Sequence, residues 1–498
     1  MNRTFLSQLF TILLSLSIIS GAFAALPFPF KNSQEAQKKT AQPAEAMAQE
    51  KNQKEVGAWV TTKDQKKLLE KESGVSFTKE KHNRLPEIKV DDSKTYQKMD
   101  GFGASFTSSS AYLMNQKLTK ENRNKLISDL FGKDGIGLSF VRMPMGATDF
   151  SVKNYTYDDL DSGKIDPDLN QFSIEKDRED VLPVAKQAKA ENKDLKIFAS
   201  PWSAPAWMKT SGFLNGGRLK EEYYQAYADY FTKFVQAYKK EGLPVYAVSV
   251  QNEPQHETPT YPSMRMDWDE QANFIGKYLG PAFEKNGIRT KIVGWDHNWD
   301  AAWYPTQILK DKEASKYIAG TAFHCYAGEV NGQIKVHEAF PEKGIWFTEC
   351  SGGNWSTDFG YNMKWNMSNL IIGATRNWAK SVILWNMALD ENNGPQNGGC
   401  PFCRGVVTID KHKGTVQKNV EYYALGHISK FVKPGAVRID TNIPNDLQNV
   451  AFKNPDGTIS LIVYNNTNQK QTFNVAYHNK TFEYSLPDGA AATYKWKP

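Results

Sequence analysis

Val248-Ser249-Val250-Gln251-Asn252-Glu253-Pro254 and Ile345-Trp346-Phe347-Thr348-Glu349-Cys350 each place a glutamate at the end of a short β-branched and aromatic run. Runs of this kind fill strands of a parallel sheet that is buried on both faces. Packing does not put a carboxylate there, because Glu is almost never fully buried without a partner. A single strand-ending Glu is explained by water or a neighbouring cation. Two in matching positions raise a second explanation, a catalytic pair, and the surrounding chain decides between them.

Outward from these runs the pattern alternates. Candidate strands are Gly101 to Ser105, Leu138 to Arg142, Lys196 to Ser200, Tyr246 to Val250, Lys291 to Trp295, Thr321 to Tyr326, Ile345 to Glu349 and Val382 to Asn386. Helical periodicity fills the gaps, most clearly from Glu221 to Lys240 and from Asp269 to Asn286. Eight strand-then-helix units predict an α/β fold, a (β/α)8 TIM barrel, with a doubly wound open sheet as the competing arrangement. Strand signals of another kind flank this region. Ala58 to Thr62 and Ile88 to Val90 precede it, and a meander with an Asp456-Gly457 turn follows it, so both chain ends are expected to build one β-sandwich.

The chain has 498 residues, 40% hydrophobic and 23% charged, which is too long for one core and ordinary for a globular protein. A net charge of +6 comes from scattered Lys and Arg, so nucleic acid is not an expected partner. Arg3, the apolar stretch Leu9 to Ile19 and Ala22-Phe23-Ala24 read as a secretory signal peptide. No later stretch is apolar enough for stable membrane insertion. The expected division is a signal peptide at 1–24, a disordered linker at 25–55, sandwich strands at 56–95, the barrel at 96–425 and the rest of the sandwich at 426–498. The expected location is secreted or periplasmic, and the oligomeric state is not legible. Export permits disulfides among Cys325, Cys350, Cys400 and Cys403. Cys400-Pro401-Phe402-Cys403 reads first as a local disulfide, with a zinc site joined by Cys325 and Cys350 as the alternative.

On a TIM barrel, active sites form where the strands end. Arg142, Trp202, Asn252, Glu253, Trp295, Asp296, His324, Tyr326, Glu349, Trp385 and Asn386 all fall at that end. Scattered structural ion pairs would not align in this way. Two carboxylates across a barrel mouth suit glycoside hydrolysis, by retention at roughly 5–5.5 Å separation and by inversion at roughly 6.5–9.5 Å. Asn252 can bind a sugar hydroxyl. Glu253 is expected to hold a proton, its pKa raised by the second carboxylate, and Arg142 to keep Glu349 ionised, with Tyr326 positioning it. His324 has no companion ligand and reads as a hydrogen-bonding residue. No metal and no cofactor are expected, since zinc-protease, phosphate-loop, nucleophile-elbow and dinucleotide motifs do not occur.

Gly101-Phe102-Gly103-Ala104-Ser105-Phe106-Thr107, Val141-Arg142-Met143-Pro144, Ser200-Pro201-Trp202-Ser203-Ala204-Pro205, Gln251-Asn252-Glu253-Pro254, Thr348-Glu349 and Leu384-Trp385-Asn386 resemble glycoside hydrolase family 30 over nearly all of the chain after the linker. The resemblance implies a retaining mechanism with Glu253 as acid/base and Glu349 as nucleophile. It also implies a sugar subsite lined by Trp202, Asn252, His324, Tyr326 and Trp385. Where glucosylceramidases of the family are expected to carry a hydroxyl-binding Asp, this chain reads Ser108, a weaker acceptor. The reading is a secreted retaining β-glycosidase acting at β-glucosyl linkages, glucosylceramidase-like, with a β-glycolipid or β-glucan as partner. An endo-β-1,6-glucanase is the alternative within the family, and a non-catalytic carbohydrate-binding protein the alternative outside it. Exposed aromatics around Trp202, Trp295, Trp299 and Trp303 would favour the glucan.

Overall fold

The structure, a computed structural model, describes residues 55–79 and 83–498. The expected signal peptide and nearly all of the expected linker lie outside the described residues. Eight parallel strands close into a barrel in chain order: β1 (Gly101–Ser105), β2 (Phe140–Pro144), β3 (Lys196–Ser200), β4 (Ala247–Ser249), β5 (Lys291–Asn298), β6 (Ile318–His324), β7 (Gly344–Glu349) and β8 (Ala379–Asn386). The open-sheet alternative is excluded because β8 pairs with β1, Ser381 facing Gly101 and Leu384 facing Ala104. Phe140, Phe198, Ala247, Val293, Ala322, Trp346 and Ile383 fill the interior beneath the strand ends. Gly103 has a steric cause, since a Cβ there would lie 1.9 Å from the Phe140 carbonyl oxygen.

Helix Tyr224–Lys240 covers the barrel with Tyr227, Tyr230, Phe231, Phe234 and Tyr238 on its buried face, at helical spacing. The expected helix from Asp269 to Asn286 is instead interrupted. Trp268–Phe274 and Gly280–Lys285 flank a π-helical turn at Ile275–Leu279, next to Pro281, which has no N–H to donate.

The chain ends form one ten-stranded sheet with no break between two layers. Val56–Thr61 pairs antiparallel with Ala491–Trp496, and Glu87–Lys98 lies between Val437–Thr441 and Gln471–Tyr477. The sheet folds over itself, because Trp496, on the third strand, meets Phe482, on the ninth, with ring centroids 6.1 Å apart. The sandwich expectation therefore holds as a curled sheet.

Helix Val420–Ser429 runs across the expected boundary between 425 and 426. Its buried His427 ties barrel to sheet: the ring nitrogens lie 2.9 Å from Thr493 Oγ1 and 2.8 Å from Thr61 Oγ1. Both chain ends thus meet at one imidazole. Burial pulls its pKa down to about 3, so it is neutral in the folded protein. An unfolded histidine titrates near 6.5, so between about 6.5 and 3 the unfolded chain binds the extra proton and folding weakens as pH falls. Moving from pH 7 to pH 5 should cost about 2 kcal/mol from this residue. Urea unfolding of wild type and His427→Gln at both pH values tests this. The variant should lose less stability on acidification, and an equal loss would place its origin elsewhere.

Candidate active site

Asp296 is the centre of the strand-end face. Trp295 and Asp296 both take positive φ, 71° and 73°, late in β5, and the Gln271 side chain accepts the Trp295 N–H at 2.9 Å. The fully buried Asp296 carboxylate accepts hydrogen bonds from Arg142 Nη2 at 2.8 Å, Ser200 Oγ at 3.0 Å, Ser249 Oγ at 2.5 Å, His324 Nε2 at 3.0 Å and Thr348 Oγ1 at 2.6 Å. These donors sit on β2, β3, β4, β6 and β7. The Asp296 carbonyl also accepts the Glu253 N–H at 3.0 Å, which helps hold Glu253 at a φ of 45°. One side chain therefore indexes most of the barrel mouth.

Two cations serve three acids. Arg142 Nη1 donates to Glu349 Oε2 at 2.5 Å, and the Tyr326 hydroxyl donates to Glu349 Oε1 at 2.9 Å. His324 Nδ1 lies 3.1 Å from Glu253 Oε1. A carboxylate oxygen from each glutamate and a His324 ring nitrogen all fall within 4.8 Å of one another. Carboxylates that approach this closely suit the retaining geometry of roughly 5–5.5 Å better than the inverting one of roughly 6.5–9.5 Å.

The titration order differs from the expected one. His324 loses hydration by burial, yet the charges of Glu349, Asp296 and Glu253 around it outweigh that loss and raise its pKa to about 9. As an imidazolium it donates from both nitrogens. Burial acts to raise Glu253, but the His324 hydrogen bond prevails and lowers it to about 2. Burial raises Glu349 despite His324 and Arg142. The expected rise at Glu253 is thus corrected for the free site, because the His324 hydrogen bond outweighs burial there. His324 is a hydrogen-bonding residue, as expected, and its charge is what lowers Glu253.

Aromatic and amide groups wall the mouth. Trp202 and Trp385 stack with centroids 5.0 Å apart, and both cover the Arg142 guanidinium, at 4.7 and 5.6 Å. Asn252 Oδ1 accepts from Arg142 Nη2 at 2.7 Å, and its Nδ2 has no partner among the described residues. Arg142, Trp202, Asn252, Glu253, His324, Tyr326, Glu349 and Trp385 are therefore brought together.

Ser108 is not among them. Its Oγ accepts the Val152 N–H at 3.1 Å, and it lines a separate cleft with Tyr112 and Asp180. Asp149, which has no part in the sequence-based expectation, instead lies close enough to the two glutamates to feel their charge. Its half-buried carboxyl has no side-chain partner among the described residues, and burial together with the charges of Glu349 and Glu253 raises its pKa well above the ordinary value. The signal was an acid in Gly146-Ala147-Thr148-Asp149-Phe150, just after a strand end.

All four cysteines are bonded, Cys325 to Cys350 and Cys400 to Cys403, which removes the zinc alternative. The second disulfide packs with Phe150, Trp202, Trp385 and Leu389. Of the aromatics expected around the mouth, Trp202, Trp295 and Trp299 are buried and Trp303 is 52% exposed.

Residues 99–432 match the glycosyl hydrolase family 30 TIM-barrel domain, and residues 435–494 match the family 30 beta sandwich domain. The chain belongs to glycoside hydrolase family 30. It is therefore a retaining glycoside hydrolase. This family 30 enzyme is 33% identical over 408 residues to endo-1,6-beta-D-glucanase neg1 of Aspergillus fumigatus, covering 76% of this chain and 81% of that one. It is 32% identical over 435 residues to the lysosomal acid glucosylceramidase of Mus musculus, covering 81% and 82%. A solved endo-beta1,6-glucanase superposes with a TM-score of 0.84 at 34% identity, over 89% of this chain and 99% of that one.

In the family 30 enzyme, Asp296→Asn turns one acceptor oxygen into a donor facing donors. Breaking a buried ion pair from one side costs about 3–5 kcal/mol. The variant should show a lowered melting temperature and kcat/KM reduced about a hundredfold or more, as expected when reacting groups shift. Near wild-type kinetics would show that the five-strand junction does not hold the site.

Proposed function

We propose that this family 30 glycosidase is exported and cleaves β-glucosyl linkages, with Glu349 as the nucleophile and Glu253 as the acid/base. One observation carries the assignment: an oxygen of each carboxylate lies within 4.8 Å of the other, but the two acids have unequal partners. Both Glu349 oxygens are fixed, by Arg142 and by Tyr326, which suits a nucleophile that must keep one trajectory. Glu253 instead shares a proton-bearing partner, His324.

In the first step Glu349 bonds to the anomeric carbon as the bond to the leaving oxygen breaks. His324 Nδ1 passes its proton to Glu253, which delivers it to the leaving oxygen, so Glu253 ends as a carboxylate and His324 as a neutral ring whose Nε2–H still donates to Asp296. In the second step water attacks the anomeric carbon, the glycosyl ester breaks, and the Glu253–His324 pair recovers the proton. Two inversions at one carbon retain its configuration. Asn252 Nδ2 and Asp149 offer a donor and an acceptor to sugar hydroxyls, and Trp202 and Trp385 supply the apolar wall.

Between substrates we favour a β-1,6-linked glucan. The exposed rings near the strand ends are spread along the chain: Trp303 opens the helix Trp303–Lys310, Tyr326 follows β6, and Trp355 follows β7 between Asn354 and Ser356. Separate rings suit successive sugars, whereas acyl chains call for one continuous apolar surface. Relatives named for glucan and for glucosylceramide hydrolysis are about equally similar, so both belong in the assay. The N-terminal signal pattern and the disulfides support export.

Hydrolysis of β-1,6-glucan, glucosylceramide, xylan and an aryl β-glucoside by wild type and Glu253→Gln, with product anomers followed by NMR, tests the proposal. Wild type should act on the glucan and the aryl glucoside and release the β-anomer first. Glu253→Gln should lose about 10²–10⁴-fold on the glucan and far less on the aryl glucoside, whose leaving group needs little protonation. Faster turnover of glucosylceramide would reverse the substrate choice. An inverted product or an unaffected Glu253→Gln would overturn the mechanism.

A further inference from the structure

Cys325 directly follows His324, and Cys350 directly follows Glu349. The disulfide between them, with Cα atoms 5.4 Å apart, joins the tips of β6 and β7. It sits where the ladder between those strands is irregular. Phe323 pairs with Phe347, but the next partners are His324 and Glu349, so Thr348 is an extra residue in β7. A bulge of this kind leaves a residue unpaired and re-aims its neighbours, which places side chains well but holds them with fewer ladder bonds. The bulged segment carries His324, Thr348 and Glu349. Regular pairing closes it below, at Phe323 and Phe347, and the disulfide closes it above.

Two contacts of the sugar site depend on the same junction. The Tyr326 hydroxyl reaches Glu349 at 2.9 Å from the residue after Cys325, and Tyr326 is 46% exposed. The Cys350 carbonyl accepts the Trp385 N–H at 2.9 Å, tying β8 and its tryptophan to the same point.

We infer that the Cys325–Cys350 disulfide is a positioning element for catalysis. It locks the bulged tips of β6 and β7 so that Tyr326 and His324 meet the two glutamates, and it rests on the roles given to those glutamates above. Without the bond no covalent link holds the two tips together above the bulge, and they can separate. Displacement of a reacting group by about 1 Å costs about a hundredfold in rate. The effect should fall mainly on kcat, because Asn252, Asp149 and Trp202 follow β4, β2 and β3 and are not tied to this junction, whereas Tyr326 and His324 meet the two glutamates directly.

The test compares wild type with Cys325→Ala/Cys350→Ala, and with Cys325→Val/Cys350→Ala, which refills part of the lost volume if the first variant folds poorly. Steady-state kinetics with an aryl β-glucoside are run below the melting transition of each protein and normalised to folded enzyme. The expected result is a kcat lowered about tenfold or more with KM within about threefold of wild type. A lowered melting temperature with kcat unchanged would assign the disulfide to stability alone and overturn the inference. If wild type itself does not hydrolyse the glucoside, the functional reading fails, and a crystal structure of the variant still decides the inference. Separation of the Tyr326 hydroxyl from Glu349 supports it, and a retained hydrogen bond contradicts it.

Discussion

A buried carboxylate that five strands share is the constraint on which this barrel mouth depends. Asp296 has no access to water, so its charge survives only through Arg142, His324 and three hydroxyl donors. An ionised acid in such a place costs several kcal/mol unless its oxygens are matched by donors. Because those donors come from β2, β3, β4, β6 and β7, meeting the requirement aligns the strand ends that carry the proposed catalytic residues. The positive φ angles at Trp295, Asp296 and Glu253 belong to the same junction, where backbone strain is kept in place by surrounding bonds.

The same cations distribute charge to the glutamates. Arg142 bridges Asp296 and Glu349, and His324 bridges Asp296 and Glu253. Each glutamate thus meets Asp296 through a different kind of cation, one that never gives up its proton and one that can. The difference supplies a physical basis for two roles in a pair of chemically identical side chains. It also explains why the free site need not show the proton on Glu253 itself, since His324 can store it one hydrogen bond away.

Much of this architecture was legible in the chain. The eight strands follow from short apolar runs, and their ends share one face because Arg142, Trp202, Glu253, His324, Glu349 and Trp385 interrupt those runs at equivalent points. Features that depend on two distant segments were less legible. Asp149 lies in a loop with no periodic pattern, and only the folded mouth brings it to face the glutamates, whereas Ser108 turns away to cap the Val152 N–H. The Cys325–Cys350 bond follows from the barrel order once β6 and β7 are neighbours, but neither cysteine has a spacing motif of its own. His324 was read by its residue type, and its charge is set by three acids on other strands. The curl of the ten-stranded sheet is likewise a property of the assembled strands rather than of any one of them.

The central claim is that the shared Asp296 network presents Glu349, and not Glu253, to the anomeric carbon. Incubation with a 2-deoxy-2-fluoro β-glucoside that bears a good leaving group, followed by peptide mass spectrometry, tests it directly by trapping the glycosyl-enzyme. The account predicts one sugar per chain, attached to the peptide that contains Glu349. A label on Glu253, or turnover with no covalent adduct, would contradict it.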